Sequence, residues 1–97
     1  MAVSGLEEVI LSLLVQKQGE THEHELYGLE MVKKSSGKLK RGTVYVTLQR
    51  MQDNGLVESR EEDRRATRSH RRRLYRATEL GRRALEAAEA YRKVMSG

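Results

Sequence analysis

From Lys38 to Arg60 the chain reads KLKRGTVYVTLQRMQDNGLVESR, a helical period that stops at Asn-Gly and continues as a strand. Val44, Leu48 and Met51 recur at i, i+4 and i+7 and so share one apolar face. Gly42, Thr43, Val46, Gln49 and Arg50 fall opposite, with Tyr45 and Thr47 on the flanks. The helix begins among Lys38, Lys40 and Arg41 and ends at Asn54-Gly55, where a left-handed residue costs little. A helix with one apolar side needs a body to lie on. A helix that runs straight into a strand must also sit beside a sheet.

The rest of the chain supplies both. SGLEEVILSLLVQKQG opens with Ser4 and Glu7 in capping-box spacing, each side chain placed to satisfy a free amide of the first turn. Leu6, Val9, Ile10 and Leu13 then share one face, while Leu11 and Val15 fall on the other. A helix apolar nearly all round is covered on both sides, here by its own domain and by a second subunit. HELYGLEMVKKSSG reads as a second helix, with Leu26, Leu29 and Val32 as its stripe, Lys33 and Lys34 at its negative end and Gly37 as a left-handed cap. LVESRE and RRLYRAT are short extended segments around an arginine-rich loop, a β-hairpin with a long basic tip. TELGRRALEAAEAYRKVMSG is a final helix capped by Thr78. Leu80, Ala84, Ala87, Ala88, Tyr91, Val94 and Met95 line one side of it, and Leu85 lies off that side.

At 97 residues, 37% hydrophobic and without cysteine, the chain can bury only a modest core and cannot staple it. The partner left to it is another subunit. Its mean hydropathy is −0.74, no apolar run reaches membrane-spanning length, and the N-terminal segment lacks a signal-peptide pattern. A cytoplasmic, nucleoid-associated chain is expected.

The net charge of +5 is unevenly placed. Arg64, Arg65, Arg68, Arg71, Arg72 and Arg73 crowd into RRATRSHRRR, a density that suits a polyanion. They are not interleaved with large apolar residues on an amphipathic helix, so a membrane surface is the poorer match. A helix fits the DNA major groove, where Thr, Gln and Arg side chains contact base edges or phosphates. A basic loop beside it adds phosphate or minor-groove contacts and a salt-dependent affinity. The order helix, helix, helix, strand, basic loop, strand, helix therefore predicts a mainly α fold with a small β-hairpin, in the α+β class. This is a winged helix-turn-helix followed by a C-terminal dimerisation helix. It forms one domain over 1–97, with a body at about 5–77, the wing at about 61–72 and the last helix at about 78–95.

With those residues in view, the sequence resembles the PadR family of bacterial transcriptional regulators over nearly its whole length. RGTVYVTLQRMQDNGLVESR is similar to the family's helix-three pattern, YRATELGRRAL to its Tyr-Arg-Leu-Thr and distal Gly, and ELYGLEM more weakly to its helix-two Gly-Tyr-Glu-Ile. The chain departs from the pattern in having no proline and in the longer first turn QGETHEHE. It resembles the short subgroup with a single C-terminal helix. The resemblance implies DNA contact by Arg41, Thr43, Tyr45 and Arg50 and dimer contact by the last helix. Adding the residues' own pattern, the expected DNA-binding set is Arg41, Thr43, Tyr45, Val46, Gln49, Arg50, Arg64, Arg65, Arg68 and Arg71. The expected dimer set is Leu11, Val15, Ala84, Ala87, Tyr91, Val94 and Met95.

The implied function is sequence-specific transcriptional regulation. The expected mode is repression from an inverted-repeat operator, with double-stranded DNA and a second copy of the chain as partners. The alternative is a winged-helix adaptor that binds protein or RNA. No catalytic residues are assigned, because His22, His24 and His70 belong to no nucleophile–base or paired-acid arrangement. No metal or cofactor is implied, since the His22/His24 spacing matches no ligand motif. Some family members bind phenolic ligands between aromatic side chains. With four Tyr and neither Phe nor Trp, this sequence gives that no support, and any small-molecule effector is unassigned.

Overall fold

A computed structural model describes residues 3–15, 25–61 and 73–96. The elements are α1 (Gly5–Val15), β1 (Leu26–Tyr27), α2 (Gly28–Lys34), α3 (Arg41–Asp53), β2 (Val57–Glu61), β3 (Arg73–Ala77) and α4 (Glu79–Ser96). The fold is mainly α with a small antiparallel sheet, as the periodicities predict.

The capping box at α1 forms. The Ser4 amide donates to Glu7 Oε1 at 2.8 Å, and the Glu7 amide donates to Ser4 Oγ at 3.3 Å. The inward stripe of α1 differs from expectation: Glu7, Ile10, Leu11 and Leu14 are buried, whereas Leu6 is exposed. Leu11, assigned to a subunit interface, is 0% exposed within its own chain. The cause is α4, which crosses α1 and covers the side that a wheel of α1 alone leaves bare. Leu11 is thus a core residue and leaves the dimer set.

The sheet has three strands in the order β1-β3-β2, one more than the expected hairpin. Leu26 pairs with Tyr75 and Tyr27 with Leu74. Leu26 and Tyr75 are both buried on the core side, so Leu26 belongs to a strand and not to a helical stripe. The second helix is correspondingly short. It starts at Gly28, where the Glu30 carboxylate accepts from the Tyr27 amide at 2.8 Å, and it buries Met31 while Leu29 stays exposed. A buried serine closes it: Ser35 Oγ donates to the Val32 carbonyl (2.8 Å) and accepts from the Leu39 amide (2.9 Å). Ser36 and Gly37 then take φ of 55° and 89°, turning the chain sharply into α3. This is the helix-turn-helix.

In α3 the expected face is the observed one, with Val44, Leu48 and Met51 all 0% exposed. Thr47, expected on a flank, is buried as well, its hydroxyl donating to the Thr43 carbonyl at 3.0 Å. The helix ends at Asn54, and Gly55 takes the left-handed φ of 77° that leads into β2.

The last helix docks through a different side from the one its apolar stripe suggests. Gly81 and Leu85 are its buried residues, and Leu85, at 5% exposure, belongs to the core. From Glu89 to Ser96 every residue is exposed. Beyond Leu85 the helix is held to α1 by an ion pair between Arg92 and Glu8.

Candidate nucleic-acid interface

The outward side of α3 carries Arg41, Thr43, Tyr45, Val46, Gln49 and Arg50, all exposed. Helical spacing puts Thr43, Val46 and Arg50 in one row and Arg41, Tyr45 and Gln49 in the next. Val46 is 64% exposed, an apolar side chain at the centre of a polar face that the core does not use.

The N-terminal end of α3 is electrostatically incomplete. Its cap residue Lys40 supplies no side-chain hydrogen bond, its first turn holds no acidic residue, and Lys38, Lys40 and Arg41 surround it. Cations at the positive end of a helix are unfavourable, and an anion there relieves both the dipole and the free amides. Arg41 and Arg50 make no ion pair among the described residues.

Two side chains on this face already have partners. Gln49 Nε2 donates to Asp53 Oδ1 at 3.0 Å, which orients the amide and leaves its oxygen and second N–H for another partner. Tyr45 is 47% exposed and rests against α2, where a Cβ built on Gly28 would lie 2.7 Å from Tyr45 Cε1. The seat for this ring depends on Gly28 having no side chain, which helical periodicity does not reveal. Behind it lies Tyr75, whose phenol is pushed up by burial, opposed by the Arg73 charge and reinforced slightly by Tyr45.

The described root of the wing is internally paired. β2 and β3 are in register from Val57↔Ala77 to Glu61↔Arg73. Arg76 pairs with Glu58, Arg73 pairs with Glu61, and Arg73 also donates to Ser59 Oγ at 3.1 Å. Ser59 in turn donates to Gln52 Oε1 (3.0 Å), tying the wing to α3. Arg60 reaches over Leu74 to grip both oxygens of Glu25, each at 2.9 Å. Arg64, Arg65, Arg68 and Arg71 lie in 62–72, outside the described residues, as do His22, His24 and His70. Among the described residues no cluster of metal-ligating side chains occurs, and no helix is long and apolar enough to cross a membrane.

The Glu25–Arg60 clamp carries a pH signature. The hydrogen bonds from Arg60 hold the Glu25 carboxyl below its ordinary range, against a smaller opposing effect of burial. A depressed folded-state pKa contributes stability above the unfolded carboxylate range, and that contribution is lost as pH falls through the folded value. Arg60 is 58% exposed, so the pair is worth less than about 1 kcal/mol. Glu25→Gln is expected to cost that much at pH 7. The gap from wild type should close as pH falls below the carboxylate range, as followed by urea unfolding across pH.

The family model described as the transcriptional regulator PadR-like family matches residues 10–87. No curated protein sequence matches the chain. Among solved structures, a PadR family transcription regulator from hypervirulent Clostridium difficile R20291 is similar at 26% identity and a TM-score of 0.77, covering 96% of this chain and 92% of that one. A PadR family transcriptional regulator from Eggerthella lenta DSM 2243 is similar at 26% identity and a TM-score of 0.75, covering 94% and 74%. Bacillus subtilis PadR, solved in complex with operator DNA, shares the fold at 23% identity and a TM-score of 0.69, covering 87% of this chain and 46% of that one. With the match spanning helix-turn-helix, wing strands and the first half of α4, the chain belongs to the PadR-like family of transcriptional regulators.

Proposed function

We propose that the protein binds DNA sequence-specifically as a homodimer and represses transcription from an inverted-repeat operator. The observation that carries this reading is the outward face of α3. It exposes Thr43, Val46, Gln49 and Arg50 together, beside an uncapped, cation-flanked helix end suited to a phosphate. The operator complex of Bacillus subtilis PadR, which has the same fold, supports it. In this reading α3 enters the major groove, Arg41, Thr43 and Tyr45 hold the backbone, and Val46, Gln49 and Arg50 face base edges. Val46 suits a thymine methyl, and Gln49 or Arg50 a purine edge. The wing arginines Arg64, Arg65, Arg68 and Arg71 contact phosphate. The dimer is built on α4 through Ala84, Ala87, Tyr91, Val94 and Met95, with Val15 of α1 at its margin. Two recognition helices related by a twofold read half-sites about one DNA turn apart, ~10 bp. A dimer seated there represses by occluding a promoter, and its place of action is the cytoplasm, on the nucleoid.

The division of labour is testable by binding titrations on operator and random duplex. Arg65→Ala with Arg68→Ala is expected to weaken both alike and to lower the salt slope by about 0.9 per lost phosphate contact. Gln49→Ala or Arg50→Ala is expected to cost about 1–3 kcal/mol on the operator alone. Equal losses on both DNAs for every variant would make α3 a positioning element and not a reader. A flat salt response with no operator preference would instead favour an adaptor that binds protein.

A further inference from the structure

One residue joins the turn that follows α3 to the start of α4. The last turn of α3 closes on itself, with the Gly55 amide bonding the Gln52 carbonyl at 3.0 Å and the Leu56 amide bonding that of Met51 at 2.9 Å. The carbonyls of Gly55 and Leu56, in the turn beyond the helix, are both taken by a single residue more than 20 positions further on. Thr78 donates its hydroxyl to the Gly55 carbonyl (2.5 Å) and its amide to the Leu56 carbonyl (3.1 Å). The same hydroxyl oxygen accepts from the Gly81 amide at 3.0 Å and so caps α4. An ordinary N-cap hydroxyl serves its own helix. Here its proton is committed to the turn that follows α3, and the bare Cα of Gly81 lets α4 pack closely on the same turn at Leu56.

We propose that the Thr78 hydroxyl determines spacing specificity: by locking α4 to the turn that ends α3 it sets the distance between half-sites that the dimer accepts. This rests on the reading above, in which α3 binds DNA and α4 dimerises. The angle between the two helices in each chain then decides where both recognition helices lie about the twofold. One added base pair moves a half-site by about 3.4 Å and turns it by about 34°. α4 has 18 residues and is roughly 27 Å long, so a tilt of about 10° at the joint displaces its far end by about 5 Å. A displacement of that size exceeds the roughly 3.4 Å rise of one base-pair step, and tilts in both chains add to it. A dimer that distinguishes spacings therefore needs a stiff joint, and Thr78 bonds both the first turn of α4 and the turn by which the chain leaves α3.

The test uses the full-length protein and duplexes that carry its operator half-sites with the central spacer lengthened or shortened by one or two base pairs. Wild type is expected to favour one spacing by about tenfold or more, the scale of a single base mismatch. Thr78→Val keeps the shape and the backbone bond but removes the hydroxyl. It should bind the same half-site sequence as a dimer, with spacing preference reduced to about threefold or less. Thr78→Ser should restore the preference. Ser4→Ala, which removes the cap of α1, serves as a matched loss of stability and should leave the spacing profile unchanged. A dimeric Thr78→Val with the wild-type profile, or a Ser4→Ala profile flattened as much, overturns this inference alone. A wild type that sediments as a monomer overturns it together with the dimer reading beneath it.

Discussion

Gly81→Ala is expected to lower the unfolding free energy by about 2 kcal/mol or more, although alanine is the better helix former. An added Cβ would lie 2.1 Å from the Leu56 carbonyl oxygen and 3.1 Å from Leu11 Cδ2. The first neighbour is backbone in a turn held by four hydrogen bonds, so it cannot swing aside as a side chain does. Relief requires α4 to lift from the body and to draw Leu85 out of the core. Overpacking of this kind costs about 1–3 kcal/mol and sometimes more. The gain of about 1 kcal/mol from replacing a helical glycine offsets only part of it. For a domain of this size a loss of about 2 kcal/mol lowers Tm by roughly 10–15 °C, readable by thermal or urea unfolding. Gly42→Ala is the contrast, because nothing lies within 4 Å of its added Cβ. It should raise stability by up to about 1 kcal/mol. A Gly81→Ala protein as stable as wild type would mean that α4 does not dock against Leu56 as described.

Tyr91→Asp together with Val94→Asp is expected to give a monomer that has lost operator binding by about a hundredfold or more, the usual scale of avidity from two linked sites. Tyr91, Val94 and Met95 are 67%, 77% and 67% exposed, and Leu80 is half-exposed on the same side. Among the described residues nothing covers the apolar side of the far half of α4, and leaving that area wet forfeits roughly 25 cal/mol per Å². Two aspartates would make burial against a second copy prohibitive, since each charge would be desolvated without a partner. Neither residue packs on the core, so the monomer should stay folded, with wing and α3 intact. Sedimentation at micromolar concentration separates the states. A wild-type monomer of 11.1 kDa that binds a single half-site tightly would refute the dimer.

Much of the fold was legible in the chain because its signals are local. The Val44, Leu48, Met51 period, the Ser4–Glu7 box, the Asn54-Gly55 stop and the Thr78 cap each depend on neighbours within about two helical turns, and each appears as expected. β1 was not legible, because two residues are too few to show an alternation. Leu26 resembled a helical position until Tyr75 of β3 came to lie opposite it. The outward set on α3 was legible for the same reason as its core face, since one period defines both. Gly28 beneath Tyr45 and the Arg60 grip on Glu25 were not, because they join residues 17 and 35 positions apart.

Apart from β1 and the start of α2, the sequence by itself determined which segments are helical or extended, and it determined where α3 stops and which side of it faces outward. Those properties follow from backbone periodicity and short-range capping. Only the tertiary structure decided which sides of α1 and α4 face each other. Both helices are apolar over more than one side, so a wheel of either is degenerate, and the core and partner faces exchange with a rotation of about 100°. Packing removes the degeneracy through one close approach. Gly81, lacking a Cβ, allows α4 within reach of the Leu56 carbonyl, which turns Leu85 and Leu11 inward and leaves Tyr91, Val94 and Met95 outside.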